Sequence, residues 1–89
     1  METIGNLARV EILHALSAQG PLTTPQIYGE LGAARTNTLR HLEALEALGL
    51  VVADEPPNRR HGRLVTWAVN RAAVKATGEA LIGYMLGES

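Results

Sequence analysis

Arg35, Thr36, Asn37 and Arg40 stand at the head of a segment whose apolar residues Leu42, Leu45 and Leu48 recur at helical spacing. These side chains have the chemistry to read or grip a nucleic acid. An arginine fork matches O6 and N7 of guanine, and an asparagine amide matches N6 and N7 of adenine, so Arg35 and Asn37 are the candidate base readers. Thr36 and Arg40 suit phosphate oxygens first. His41 fits a phosphate contact or a structural role better than base readout. Further along, PPNRRHGR gathers Arg59, Arg60 and Arg63. Such residues meet the sugar–phosphate backbone or the minor groove, where they supply affinity and salt dependence more than sequence choice. Thr24 opens the preceding helical segment, whose free N–H groups and positive dipole end suit a phosphate.

Elements must hold these residues in place. Residues 22–50, LTTPQIYGELGAARTNTLRHLEALEALGL, read as two helices joined by a glycine-containing turn. The first helix has two possible starts. Thr23 with Gln26 makes a capping box, and Thr24 with Pro25 makes a cap followed by proline at the first helical position. Ile27 and Leu31 face inward, and Gly32 ends the helix. The second helix is expected over residues 35–48, with Thr38, Leu42, Leu45 and Leu48 as its inner stripe and Gly49 as a left-handed C-terminal residue. A pair of this kind puts the start of its second helix into the DNA major groove.

The flanking segments complete the pattern. Asn6 can cap a first helix carrying Leu7, Val10, Leu13, Ile12 and Leu16, which Gly20-Pro21 stops. Leu22 reads as a very short strand. Leu50-Val51-Val52 reads as another, and Pro56-Pro57-Asn58 begins a turn that Gly62 closes. Val65, Trp67 and Val69 alternate with Leu64, Thr66 and Ala68, so the return strand turns Trp67 inward. The resulting hairpin carries Arg59, Arg60 and His61 near its tip, in a wing over residues 56–63. Asn70 can cap a last helix from Ala72 to Leu86, with Val74, Leu81 and Met85 along one side. That stripe either packs on its own domain or meets a copy of itself. The expected fold class is α+β, mostly α: a winged helix-turn-helix of four helices plus a small antiparallel hairpin. Residues 1–89 are read as one domain, with 71–87 a helix available for dimerisation.

Composition narrows the function. Hydrophobic residues make up 46% of the 89, a globular proportion, so wholesale disorder is not expected. There are no cysteines, which excludes disulfides, thiolate metal sites and cysteine nucleophiles. No apolar run is long enough to cross a bilayer, and METIGNLARVEIL has no secretion-signal pattern, so a soluble cytoplasmic protein is expected. The net charge of −1 argues against a nonspecific DNA coat, but its distribution matters more. Five arginines fall in the second-helix and wing segments, while the acids fall largely elsewhere, with Asp54 and Glu55 at the base of the wing. His14, His41 and His61 lie on three different elements, so neither metal nor cofactor is expected. A phosphate-binding glycine loop, a nucleophile with a base and a paired-carboxylate pattern are all missing, and an enzyme is not expected.

The order of these pieces resembles the ArsR-type winged-helix repressors, with the PadR and MarR groups as relatives. NLARVEILHAL resembles that family's DPTRLxILxLL opening, with Asn6 at the capping position, Arg9 at the arginine and Ile12-Leu13 as core. LTTPQIYGELG resembles LSxxELAxxLG. ARTNTLRHLEALEALGLV resembles the recognition helix SxSTVSxHLxxLxxAGLV, including Arg40-His41-Leu42 and Leu48-Gly49-Leu50-Val51. GRLVTWAV resembles the closing wing strand GRxVYYxL. There are three departures. The usual serine cap of the recognition helix is Ala34, so either the cap is lost or Thr36 takes over and starts the helix later. A serine that commonly faces DNA is Leu39, which either meets a thymine methyl or adds to the core. Family members often carry another helix before the first one, and the chain is expected to start too late for it, so any dimer should lean on the last helix and the first.

The resemblance implies a sequence-specific double-stranded DNA-binding transcription regulator, a homodimeric repressor reading an inverted repeat. Metal-sensing members use cysteine pairs that this chain lacks. Two other readings fit the same elements: a winged-helix module that docks proteins rather than DNA, and a DNA-bending accessory factor of the excision type.

Overall fold

The computed structural model describes residues 7–60 and 63–87, the side chains of residues 57 and 81 excepted. Among the described residues the chain forms four α-helices and a three-stranded antiparallel sheet. The expected Asn6 cap and His61 lie outside the described residues.

Helix α1, Leu7–Gln19, buries Ile12 and Leu16 and leaves Leu7 and Val10 in solvent. It stops at Gly20, whose φ of 86° has no steric cost without a Cβ. Strand β1 is only Leu22–Thr23. Helix α2, Thr24–Leu31, starts by the first of the two alternatives. Thr23 is the cap: Gln26 N–H donates to its Oγ1 at 3.4 Å, and Thr23 N–H donates to Gln26 Oε1 at 2.8 Å. Pro25 then costs nothing, because the N–H it lacks would have had no partner in the first turn. Gly32, at φ 63°, closes α2 with its N–H on the Gly29 carbonyl.

Helix α3, Arg35–Ala47, buries Thr38, Leu42 and Leu45, which share one face by the helical repeat. Leu48, expected on the same stripe, is 53% exposed. Its N–H still bonds the Ala44 carbonyl at 3.3 Å, but at about 100° per residue it falls roughly 90° from the centre of the face formed by Thr38, Leu42 and Leu45, at the edge of the stripe. Strand β2 is Val51–Ala53, one residue later than expected, and a single 3₁₀ turn covers Pro57–Arg59. Strand β3 is Thr66–Val69. It pairs with β2 through Val51 opposite Val69, and on its other edge with β1 through Leu22 opposite Trp67. The strand order is β1-β3-β2, so the wing's return strand is the centre of the sheet.

That placement sets the core. Trp67 is wholly buried among Ile12, Leu16, Ile27, Leu42 and Leu45. An aromatic of this kind removes about 150–250 Å² from water, worth about 4–6 kcal/mol at about 25 cal/mol per Å². Its indole N–H donates to Thr24 Oγ1 at 2.9 Å, which satisfies a donor that burial would otherwise strand. Helix α4, Arg71–Met85, begins one residue earlier than expected, with Ala73 N–H donating to the capping Asn70 side chain at 3.1 Å. Arg71 donates to the Ser17 carbonyl at 2.8 Å, and Ala73 and Val74 pack against the core. Further along α4, Ile82, Tyr84 and Met85, and Leu86 beyond its end, are exposed.

Candidate nucleic-acid interface

The leading edge of α3 is free. Arg35, Thr36, Asn37 and Arg40 are all exposed. None of their side chains has a hydrogen bond or ion pair with another described residue, and in particular Glu43 does not take either arginine. The cap is lost rather than shifted. Ala34 sits in the extended capping conformation with no side-chain bond, and the helix begins at Arg35. Thr38 N–H is the first to find an intrahelical partner, at Ala34 O, which leaves the N–H groups before it turned outward at the positive end of the dipole.

Thr38 itself is fully buried, and its Oγ1 has no hydrogen-bond partner among the described residues. Leu39 packs partly against the core, and it also lines an outer cleft. The cleft holds about 470 Å³ between α3 and the wing, with Arg35 and Leu39 on one wall, Arg63 and Leu64 on the other, and Val65 and Trp67 in the floor. Three arginines, Arg35, Arg60 and Arg63, and one acid, Glu43, line it.

His41 is half-buried rather than free. Arg9 Nε, from α1, donates to its Nδ1 at 3.1 Å, so the ring proton belongs on Nε2. Burial first, then the charges of Arg9 and Arg40, push its pKa below the ordinary 6.5. Neutral His41 therefore anchors α3 to α1, and only Nε2 remains for an outside acceptor.

Two expected contacts prove to be engaged inside the protein. Thr24 is 6% exposed, its hydroxyl accepts from Trp67, and its N–H donates to the Val65 carbonyl at 3.1 Å. It is a core partner of the tryptophan, not an open phosphate site. Arg60 is equally committed. Its side chain is 13% exposed, with both terminal nitrogens on the Glu46 carboxylate, Nη1 to Oε1 at 3.0 Å. Its Nε donates to the Glu55 carbonyl at 2.8 Å, and its guanidinium carbon lies 4.9 Å from the centre of the Trp67 ring. The hydrogen bond to Glu46 raises its pKa above the usual arginine value, against the opposing effect of burial.

The other wing arginines remain outward. Arg59 is exposed with no side-chain partner among the described residues, and Arg63 is exposed with only a 3.7 Å surface contact to Glu55. Such contacts are worth little in water. Asp54 accepts from Thr66 N–H at 3.0 Å and braces the base of the wing. Of the expected dimer stripe, Val74 is half-buried on the protein's own core, Met85 is 66% exposed, and the Leu81 side chain lies outside the described residues. Sequence reasoning passed over Ile82 and Leu86 and gave Tyr84 no role, though all three extend that exposed apolar end. Among the described residues no group of three or more histidines and carboxylates is placed to hold a metal ion, and no helix is long and apolar enough to cross a membrane.

A helix with a bare polar tip, a preceding helix set by a tight turn, and an arginine-bearing wing define a winged helix-turn-helix fold. The model of the bacterial regulatory protein arsR family matches residues 7–52, and the chain belongs to that family. No curated protein matches the sequence. Solved structures share the fold. An ArsR family transcriptional regulator superposes at a TM-score of 0.73 with 24% identity, over 99% of this chain and 91% of that one. A possible transcriptional regulatory protein from Mycobacterium bovis gives 0.69 with 23% identity, over 91% and 82%. ZitR from Lactococcus lactis, a zinc-responsive MarR family member, gives 0.62 with 19% identity, over 88% of this chain but only 52% of its own length.

Proposed function

We propose that this protein is a sequence-specific reader of double-stranded DNA, a homodimeric repressor acting on an inverted repeat. The observation that carries the reading is the unpartnered edge of α3, where Arg35, Thr36, Asn37 and Arg40 project beside exposed N–H groups. In the major groove Arg35 and Asn37 reach base edges, while Thr36 and Arg40 hold phosphates. Across the cleft, Arg59 and Arg63 meet the backbone or minor groove, and the cleft takes the strand that runs between them. His41 offers Nε2–H to a phosphate.

Repression and two-fold symmetry rest on the resemblance to ArsR-type repressors and on the exposed apolar end of α4. A single module reads few base pairs, and a symmetric pair doubles the site. Ile82, Tyr84, Met85 and Leu86, with Leu7 and Val10 of α1, are the surface offered to the second copy.

Selection of bound sequences from a random duplex pool tests this directly. A palindromic consensus is expected, with affinity that falls steeply as salt rises. Arg35→Ala then loses preference at one position of each half-site, by about 1–3 kcal/mol. Weak, sequence-blind binding with no salt dependence would overturn the reading.

A further inference from the structure

The three arginines of the wing are not equivalent. Arg59 and Arg63 are exposed, whereas Arg60 between them commits Nε and both terminal nitrogens within the protein. Its partners come from separate elements: Glu46 from α3, the Glu55 carbonyl from the wing loop, and the Trp67 ring from β3. Trp67 passes the connection on to Thr24 at the start of α2. No other hydrogen bond or ion pair among the described residues joins the wing loop to α3.

We propose that Arg60 is a positioning residue: it does not touch DNA, but sets the distance and angle at which the wing presents Arg59 and Arg63 beside the reading helix. This rests on the DNA reading proposed above. Arginine suits the position for two reasons. Its planar fork engages both oxygens of one carboxylate, and its flat face stacks on an indole at the same time. Lysine, a point charge on a flexible stem, does neither well. The tie also sits against a wholly buried ring, so loosening it shifts the strand that carries the wing back into the core.

The test uses Arg60→Lys, which keeps the charge, and Glu46→Gln, which keeps the shape. Each is measured on the selected duplex and on the same duplex trimmed at its ends, so that the wing has nothing to hold. Circular dichroism checks the fold. The single tryptophan, Trp67, reports the tie through its fluorescence. Both variants are expected to stay folded, shift that emission, and bind the trimmed duplex as the parent does. On the full duplex both should lose the gain that the flanks provide. The salt slope should fall by about two, one for each phosphate contact of Arg59 and Arg63.

An Arg60 that grips phosphate itself gives a different pattern: Glu46→Gln frees it and tightens binding while Arg60→Lys weakens it. That result overturns the proposal, and so does full-duplex binding by both variants that equals the parent's. A second measurement does not depend on disturbing the tie. Arg59→Ala with Arg63→Ala, both at exposed positions, should erase the whole flank-dependent gain with Arg60 intact. A surviving gain overturns the proposal. If the parent binds no duplex at all, the DNA reading fails first, and the proposal falls with it.

Discussion

Replacing Thr24 with valine separates a core role from a DNA contact at one position. The two side chains have nearly the same shape, so packing around residue 24 is retained. The loss is the oxygen that accepts from Trp67 Nε1 at 2.9 Å. Both partners are buried, Thr24 at 6% and Trp67 at 0% exposure, so no water replaces it. A buried donor left without a partner costs about 1–3 kcal/mol. For a domain of this size each kcal/mol moves the melting temperature by about 4–8 °C, so Thr24→Val should melt roughly 5–20 °C lower. Unfolding followed by Trp67 emission at one fixed protein concentration measures the shift, because any dimer makes melting depend on concentration. Thr24→Ser, which keeps the hydroxyl, should recover most of it. DNA affinity well below the melt should not change. Unaltered melting together with weakened, less salt-sensitive binding would refute the reasoning and restore Thr24 as a phosphate contact.

Other outcomes follow from the same geometry. Ala34→Ser should restore the missing cap on α3 and stabilise the fold by about 0.5–2 kcal/mol, read as a higher melting temperature. His41 has a folded pKa below 6.5, so the unfolded chain takes up its proton first; stability should fall as pH drops through 6.5 towards the folded value, then stop changing on its account. The same melts in His41→Gln should lack that part of the pH dependence; an identical profile would show that His41 does not carry it. Met85→Glu, on the exposed end of α4, should shift sedimentation from dimer towards monomer and leave secondary structure unchanged.

Local chemistry was the legible part of this chain. Gly32 and Gly49 take the left-handed conformation their positions required, and Trp67 turns inward as the alternation of its strand demands. The exposed polar tip of α3 follows from the stripe of Thr38, Leu42 and Leu45 on its opposite face. What stayed hidden were contacts between residues far apart in sequence. Nothing near Thr24 announces a tryptophan 43 positions away, and a threonine at a helix start looks the same whether it faces water or an indole. Arg60 sits in a run of basic residues, and such runs usually face solvent. Its partner, Glu46, lies 14 positions upstream on another element. The available signal was an acid on α3 just before the strand that leads into the wing, and it gives no distance. Leu48 was misplaced because a three-residue step from Leu45 carries it to the edge of the stripe, roughly 90° from its centre, where apolar spacing alone does not decide burial.

The sheet order β1-β3-β2 also bears on how small a working fragment can be. The family match stops at residue 52, which marks an obvious place to cut. Such a fragment would lack the strand that lies between its two edges and the tryptophan that plugs the space under all three of the first helices. Because β3 pairs with both other strands, the shortest piece expected to fold alone runs through Val69.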